Sequence, residues 1–200
     1  MRKHNMQLLI FSIAFCLFHQ SAGADQKKWD IERIKDANGN IVSLKILNRD
    51  NKSVHQELRD FTATHPEHVV QGGVDVILRD INFDGNDDIL VFESQPLRSD
   101  VLYLYWIYNP VSDKFECTDP DPHDNLCRID ADELDHEKKQ VVDFYTDNAV
   151  THGTRYQIWK DGKLITVKEI EEVISNSGKT KVTERELKNG KLAITKQYIK

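Results

Sequence analysis

The segment Val74-Asp-Val-Ile-Leu-Arg-Asp80-Ile-Asn82-Phe-Asp84-Gly85-Asn86-Asp-Asp88-Ile-Leu-Val-Phe92 decides the fold. Its middle places side-chain oxygens at Asp80, Asn82, Asp84 and Asp88, the first, third, fifth and ninth positions of a loop whose sixth is Gly85. That spacing suits a hard cation such as Ca²⁺, which takes about six to eight oxygen ligands at about 2.3–2.6 Å. Alternate side chains of an extended segment point opposite ways, so Asp80, Asn82 and Asp84 reach one side while Ile81 and Phe83 reach the other and pack into protein. Gly85 supplies the positive φ that folds the chain back over an ion. The Asn86 carbonyl then offers a fifth oxygen, and Asp88 closes the cage directly or through water.

The flanks separate this loop from an EF-hand. Val91 stands at the twelfth position, where an EF-hand needs a bidentate glutamate, and Asp87 stands at the eighth, where an apolar residue is usual. Residues 74–78 and 89–92 are β-branched and aromatic runs too short for paired helices. The reading is therefore strand, calcium loop, strand, an arrangement that resembles the loops of FG-GAP and integrin-type propeller blades. The alternative is an Asp/Gly-rich hairpin turn that holds no metal. Three carboxylates gathered on one turn repel each other without a cation, which favours Ca²⁺ in a structural role.

Outward from the loop, the chain of 200 residues, 39% hydrophobic and 30% charged, fits one domain over residues 25–200. Residues 1–24 read as a secretory signal peptide: Arg2, Lys3 and His4, an apolar run from Leu8 to Phe18, then Ser21-Ala-Gly-Ala24 at the cleavage site. The run is too short to span about 30 Å of hydrocarbon, and no other stretch is long and apolar enough to do so. Bulky Phe15 ahead of Cys16 argues against a lipoprotein cysteine. The formal charge of −6 becomes −8 when Arg2 and Lys3 leave with the leader. Such a surface repels nucleic acid and anionic lipid and favours basic partners or divalent cations. The two remaining cysteines, Cys117 and Cys127, predict a disulfide in an oxidising, periplasmic or secreted setting, worth about 2–3 kcal/mol.

The rest reads as β-structure. Trp29–Ile34 and Ile41–Leu47 form a hairpin about Asp36-Ala-Asn-Gly-Asn40, and Val54–Phe61 is a strand or a short helical turn. Gly72 and Gly73 mark a bend, and Gln95–Asp100 is a loop. Val101–Tyr108, apolar on both faces, predicts a central strand. Phe115–Cys117, Leu126–Ile129 and Gln140–Tyr145 follow as strands, the last two joined by an acidic turn over 130–137. Asp161-Gly162 and Asn189-Gly190 predict tight hairpins within a closing antiparallel meander, with a helix over 168–175 as the alternative there. One calcium loop and no internal repeat argue against a full propeller. The fold class is mostly β: an antiparallel sandwich, flattened barrel or twisted meander sheet with one calcium-binding hairpin loop.

No catalytic residue emerges, and the chain does not read as an enzyme. Nucleophile elbows, His-Glu-x-x-His helices and phosphate-cradling glycine loops are absent from the sequence. His55, His65, His68, His123, His136 and His152 read as surface residues. Asp119, Asp121 and Asp124 with His123 form either a second cation site or a solvated acidic loop; their irregular spacing favours the latter. Tyr103, Tyr105, Trp106 and Tyr108 read as core rather than as a sugar-binding groove.

Taken in order, the leader, Leu78-Arg-Asp-Ile-Asn-Phe-Asp-Gly-Asn-Asp-Asp-Ile-Leu90, Tyr108-Asn-Pro-Val-Ser-Asp-Lys-Phe115, Leu134-Asp-His-Glu-Lys-Lys139 and Asp161-Gly-Lys-Leu164 are similar to one known family. The pattern resembles the periplasmic immunity proteins that neutralise lysozyme-like effectors of bacterial-killing type IV secretion systems, over about residues 68–170. The resemblance implies Ca²⁺ at Asp80, Asn82, Asp84, Asn86 and Asp88, and inhibition by a loop inserted in the sugar cleft of a basic, peptidoglycan-degrading enzyme. The Ser-Gly-x-Tyr signature of some lysozyme inhibitors is absent. A calcium-stabilised envelope-binding module without inhibitory activity is the alternative, and a calcium-dependent hydrolase is a third reading.

Overall fold

The computed structural model describes residues 28–63, 75–94, 101–131 and 133–200. The expected leader, His65 and His68, the bend at Gly72-Gly73 and the loop at 95–100 lie outside them. Among the described residues the chain is all β, with three antiparallel sheets, no helix and no closed barrel. None of these residues belongs to a helix long and apolar enough to cross a membrane.

Strands β1 (Trp29–Lys35), β2 (Ile41–Asn48) and β3 (Val54–Leu58) make the first sheet, which settles Val54–Phe61 as strand through Leu58. The second sheet orders β4 (Val76–Arg79), β5 (Asp88–Ser94), β6 (Leu102–Asn109) and β7 (Lys114–Glu116), with β8 (Arg128–Asp130) also on β6. β7 lies opposite Ile107–Asn109 and β8 opposite Leu102–Leu104, so the two behave as one interrupted strand. Residues 117–127 are the excursion between them. The third sheet is a consecutive meander of β9 (Glu133–Asp135), β10 (Gln140–Asn148), β11 (Thr151–Lys160), β12 (Lys163–Ile174), β13 (Thr180–Lys188) and β14 (Lys191–Ile199).

The middle sheet is covered on both faces. Ile89 and Val91 of β5, with Leu104, Trp106 and Tyr108 of β6, pack against Trp29, Leu44 and Ile46 of the first sheet. The alternate residues Leu90, Tyr105 and Ile107 face the other way, toward Leu134, Val141, Trp159 and Leu164 of the third. A strand buried on both faces must be apolar at nearly every position, which is why 102–109 carries no hydrophobic/polar alternation. Each fully buried Val, Leu, Ile or Phe contributes about 1.5–3 kcal/mol, so these two interfaces hold the layers together. Tyr105, Trp106 and Tyr108 are buried in them, which excludes those three from a surface sugar groove.

Two expectations need revision. Glu133–Asp135, read as part of an acidic turn, is a short strand paired with Gln140–Val142, because Leu134 is needed in the second core. Strand β10 also runs past Tyr145 to Asn148, where Ala149-Val150 turns it into β11. A ladder of charges lies at the base of that extension. Asp143, Arg155, Glu169 and Arg185 stand opposite one another on four successive strands and therefore on one face. Arg155 Nη1 reaches Asp143 at 3.1 Å, and Arg185 reaches Glu169 at 2.7 Å and Glu171 at 3.2 Å. Those alternating carboxylates and guanidinia also explain why 168–174 is strand rather than helix: cross-strand partners await every second residue.

Candidate metal centre

The loop between β4 and β5 is built from its apolar side. Ile81 is fully buried and Phe83 nearly so, and both belong to the second core. Phe83 takes φ 62° and Gly85 φ 90°, two left-handed residues that close the turn. A bulky residue such as Phe is costly there. It is held by edge-to-face contact with His136 at 5.4 Å and by Lys139 Nζ donating to the Phe83 carbonyl at 3.3 Å. The Trp159 indole Nε1–H donates to the Ile81 carbonyl at 2.6 Å.

Asp80, Asn82, Asp84 and Asn86 come together on the solvent side. Asp80 accepts the Asp84 N–H through Oδ1 at 3.1 Å and the Gly85 N–H through Oδ2 at 2.9 Å. The Asn82 side-chain Oδ1 accepts the Asp84 N–H at 3.1 Å. Asp84 Oδ1 accepts both the backbone and side-chain N–H of Asn86, at 2.8 and 3.0 Å, and Oδ2 accepts the Asn82 amide at 3.0 Å. Asp84 Oδ1 accepts twice, whereas Asp84 Oδ2 and both Asp80 oxygens each retain a further lone pair, and an asparagine amide turned by half a revolution presents oxygen where it now presents nitrogen.

Asp88 sits apart from that group, on the buried side. It has no exposed surface, and its Oδ2 accepts the Ile81 N–H and its Oδ1 the Tyr108 N–H, each at 2.9 Å. Burial pushes its carboxyl up to about 7; the two N–H donors pull it down, and the charges of Asp84 and Asp80 add to the rise. Among the described residues no three His, Cys, Asp or Glu side chains converge as a metal cluster. The donor set fits Ca²⁺ in chemistry, all oxygen and strongly anionic, and a divalent cation would relieve the mutual repulsion that Asp88 registers. Its entry requires Asp80 and Asp84 to redirect lone pairs and the two asparagine amides to turn.

The disulfide loop is the second feature. Cys117 and Cys127 are bonded, with Cα atoms 5.5 Å apart, at the base of the excursion between β7 and β8. Within it the Asp121 N–H donates to the Leu126 carbonyl and the Asn125 N–H to the Asp121 carbonyl, at 2.9 and 2.8 Å. Asp124 binds Arg128, which also grips Glu93, and the Arg128 hydrogen bond holds the Asp124 carboxyl below its usual range. Asp119 pairs with Lys163 at 2.7 Å. These acids are spent on ion pairs rather than gathered for a second cation, while Pro120 to Asn125 project exposed.

Sequence reasoning missed Trp159, which closes one side of this region. Its place next to Asp161-Gly162 was legible, but a partner 78 residues away was not. A further polar group joins Lys28, Tyr108, Asp113 and His55 near the first strand. Lys28 donates to Tyr108 at 2.9 Å and to Asp113 at 3.0 Å, and Tyr108 donates to Asp113. The Tyr108 hydrogen bond raises the Lys28 ammonium, burial opposes it, and Asp113 adds to the rise, so this lysine is held as a cation rather than freed as a nucleophile.

No protein-family model matches the chain, and no curated protein matches it. Among solved structures it is similar to a Xanthomonas type IV secretion system related protein, with TM-score 0.55 and 12% identity over 86% of this chain and 95% of that one. A protein of unknown function from Bacteroides fragilis matches with TM-score 0.29 and 9% identity over 88% of this chain and 94% of that one. The Xanthomonas likeness is one of fold.

Proposed function

We propose that the chain is an exported, calcium-binding inhibitor or immunity protein that blocks a basic, lysozyme-like peptidoglycan hydrolase in the periplasm. The observation that carries this reading is the disulfide-braced loop 117–127. Its tip is exposed, acidic and tied internally, and its base is clamped to β6 through the Tyr105 N–H to Cys127 carbonyl bond at 3.0 Å. A loop already ordered in its bound form loses little entropy on docking. Negative charge speeds its encounter with a cationic enzyme. Seated in a cleft, it denies the catalytic acid access to a glycosidic oxygen and needs no chemistry of its own. The fold likeness to a Xanthomonas protein related to type IV secretion supports the same setting, and the disulfide supports an oxidising compartment.

Calcium belongs to this reading as a structural ion. Asp80, Asn82, Asp84, the Asn86 carbonyl and Asp88 would hold it, and it would supply two positive charges to a turn that carries the acids of 80–88. The chain's own part is to keep the turn closed through Phe83 and Gly85 and to fix its walls through Ile81.

The test is addition of purified residues 25–200 to lysozymes of several types during cell-wall lysis. Stoichiometric loss of lysis for at least one enzyme is expected. Unchanged lysis by all of them, with the chain held on the envelope instead, would replace the inhibitor with an envelope-binding module.

A further inference from the structure

A cleft of about 170 Å³ opens where three loops meet: Asn82 from the candidate metal centre, Thr118 from the disulfide loop, and Lys160-Asp161-Gly162 at the β11–β12 turn, with Trp159 and Ile107 as its apolar walls. We propose that this cleft binds one neutral pyranose ring of a glycan.

Size and chemistry both select that guest. The space equals about six waters of liquid volume, enough for a single ring and too little for two. An indole and an isoleucine offer an apolar surface to the C–H face of a sugar, while Asn82, Thr118, Lys160 and Asp161 supply donors and acceptors around it. One ammonium and one carboxylate cancel, so the lining asks for an uncharged ligand. A phosphate or uronate would meet Asp161, and a lysine or arginine from a protein would meet Lys160.

The walls are fixed before any ligand arrives. Trp159 is held by its bond to the Ile81 carbonyl and by edge-to-face packing on Tyr105 at 5.6 Å. Lys163 pairs with Asp119 across the rim, and Gly162 lies so close to Thr118 that a Cβ there would sit 3.5 Å from the Thr118 Cβ. The Thr118 hydroxyl is buried next to the Tyr105 hydroxyl, whose pKa burial raises and Thr118 draws back, yet its Oγ1 makes no hydrogen bond of normal geometry. Turned outward from behind the cleft wall, that buried hydroxyl has spare capacity for an incoming sugar hydroxyl.

This inference needs neither the hydrolase nor its inhibition. Titrating the isotope-labelled mature chain with the N-acetylglucosamine trimer, at saturating calcium, should move the Trp159 indole N–H resonance saturably with Kd of about 1 mM. Thr118→Val, which keeps the shape and removes the hydroxyl, and Asp161→Asn, which keeps the turn, should each weaken binding about five- to tenfold at unchanged melting temperature. No movement at about 20 mM trimer, or equal movement in both variants and the parent, overturns the proposal. So does movement caused by a lysine-rich peptide and not by the trimer, which would make the cleft a protein contact.

Discussion

The Tyr108 backbone N–H donates to Asp88 Oδ1 at 2.9 Å across 20 residues of chain, inside the core and not at its edge. With the Ile81 N–H on Oδ2, this carboxylate ties the loop to β6 whether or not a cation is present. Asp88→Asn can accept only one of the two bonds and turns an NH₂ on the other donor. A loss of about 1–3 kcal/mol is expected in urea unfolding with chelator. An unchanged midpoint would reduce Asp88 to a metal ligand only.

The same carboxyl sets a pH dependence. Its folded pKa of about 7 lies above the ordinary 3.8, so protonation favours the fold. With chelator present, its contribution is full below 3.8 and is lost as pH rises to about 7. Melting temperature in chelator should therefore decline across that window, and saturating calcium, which favours the ionised form, should remove the decline. A flat chelator curve for the parent that Asp88→Asn does not alter would contradict this.

Calcium itself should raise the melting temperature by linkage, since an ion bound only to the native state adds RT ln(1 + [L]/Kd). Asp84→Ala removes the carboxylate at the centre of the loop and should abolish the calcium-dependent shift. A shift that survives intact would place the ion elsewhere.

Gly153 is required by its neighbour. A Cβ there would meet the Tyr145 ring at 2.3 Å, and that ring is pinned by Arg155 stacked over it at 3.9 Å and by its hydroxyl on Glu169 at 3.3 Å. Gly153→Ala should cost about 1–3 kcal/mol by overpacking. Paired with Tyr145→Ala it should cost less than the sum of the two single changes, because the clash is gone. Strict additivity in chemical denaturation would disprove the contact.

Replacing Cys117 and Cys127 together by serine should lower stability by about 2–3 kcal/mol. In the lysis assay the same variant, still folded, should inhibit more weakly than its stability loss explains, because the loop would have to be ordered on binding.

Local patterns carried much of the fold into view. Asp161 and Gly162, like Asn189 and Gly190, take the paired positive φ values that their dipeptides announce. The unbroken apolar run at 102–109 is a strand with protein on both sides. The candidate loop was legible for a similar reason, since its alternation of oxygen-bearing and apolar residues is local. What escaped was long-range: β9 exists because Leu134 fills a core that only the assembled chain creates. The burial of Asp88 could not be foreseen either, because nothing near it in the chain announces Tyr108 as its partner.

The first sheet has a consequence for the order of events during folding. Residues 28–63 close a three-stranded unit on their own, but its apolar side meets its cover only when β5 and β6 exist. A chain folding from its N-terminal end therefore carries that sticky face uncovered until some forty further residues join it. Contacts so distant in sequence form slowly. The interval is when the molecule would most need a holding chaperone and be most open to cleavage.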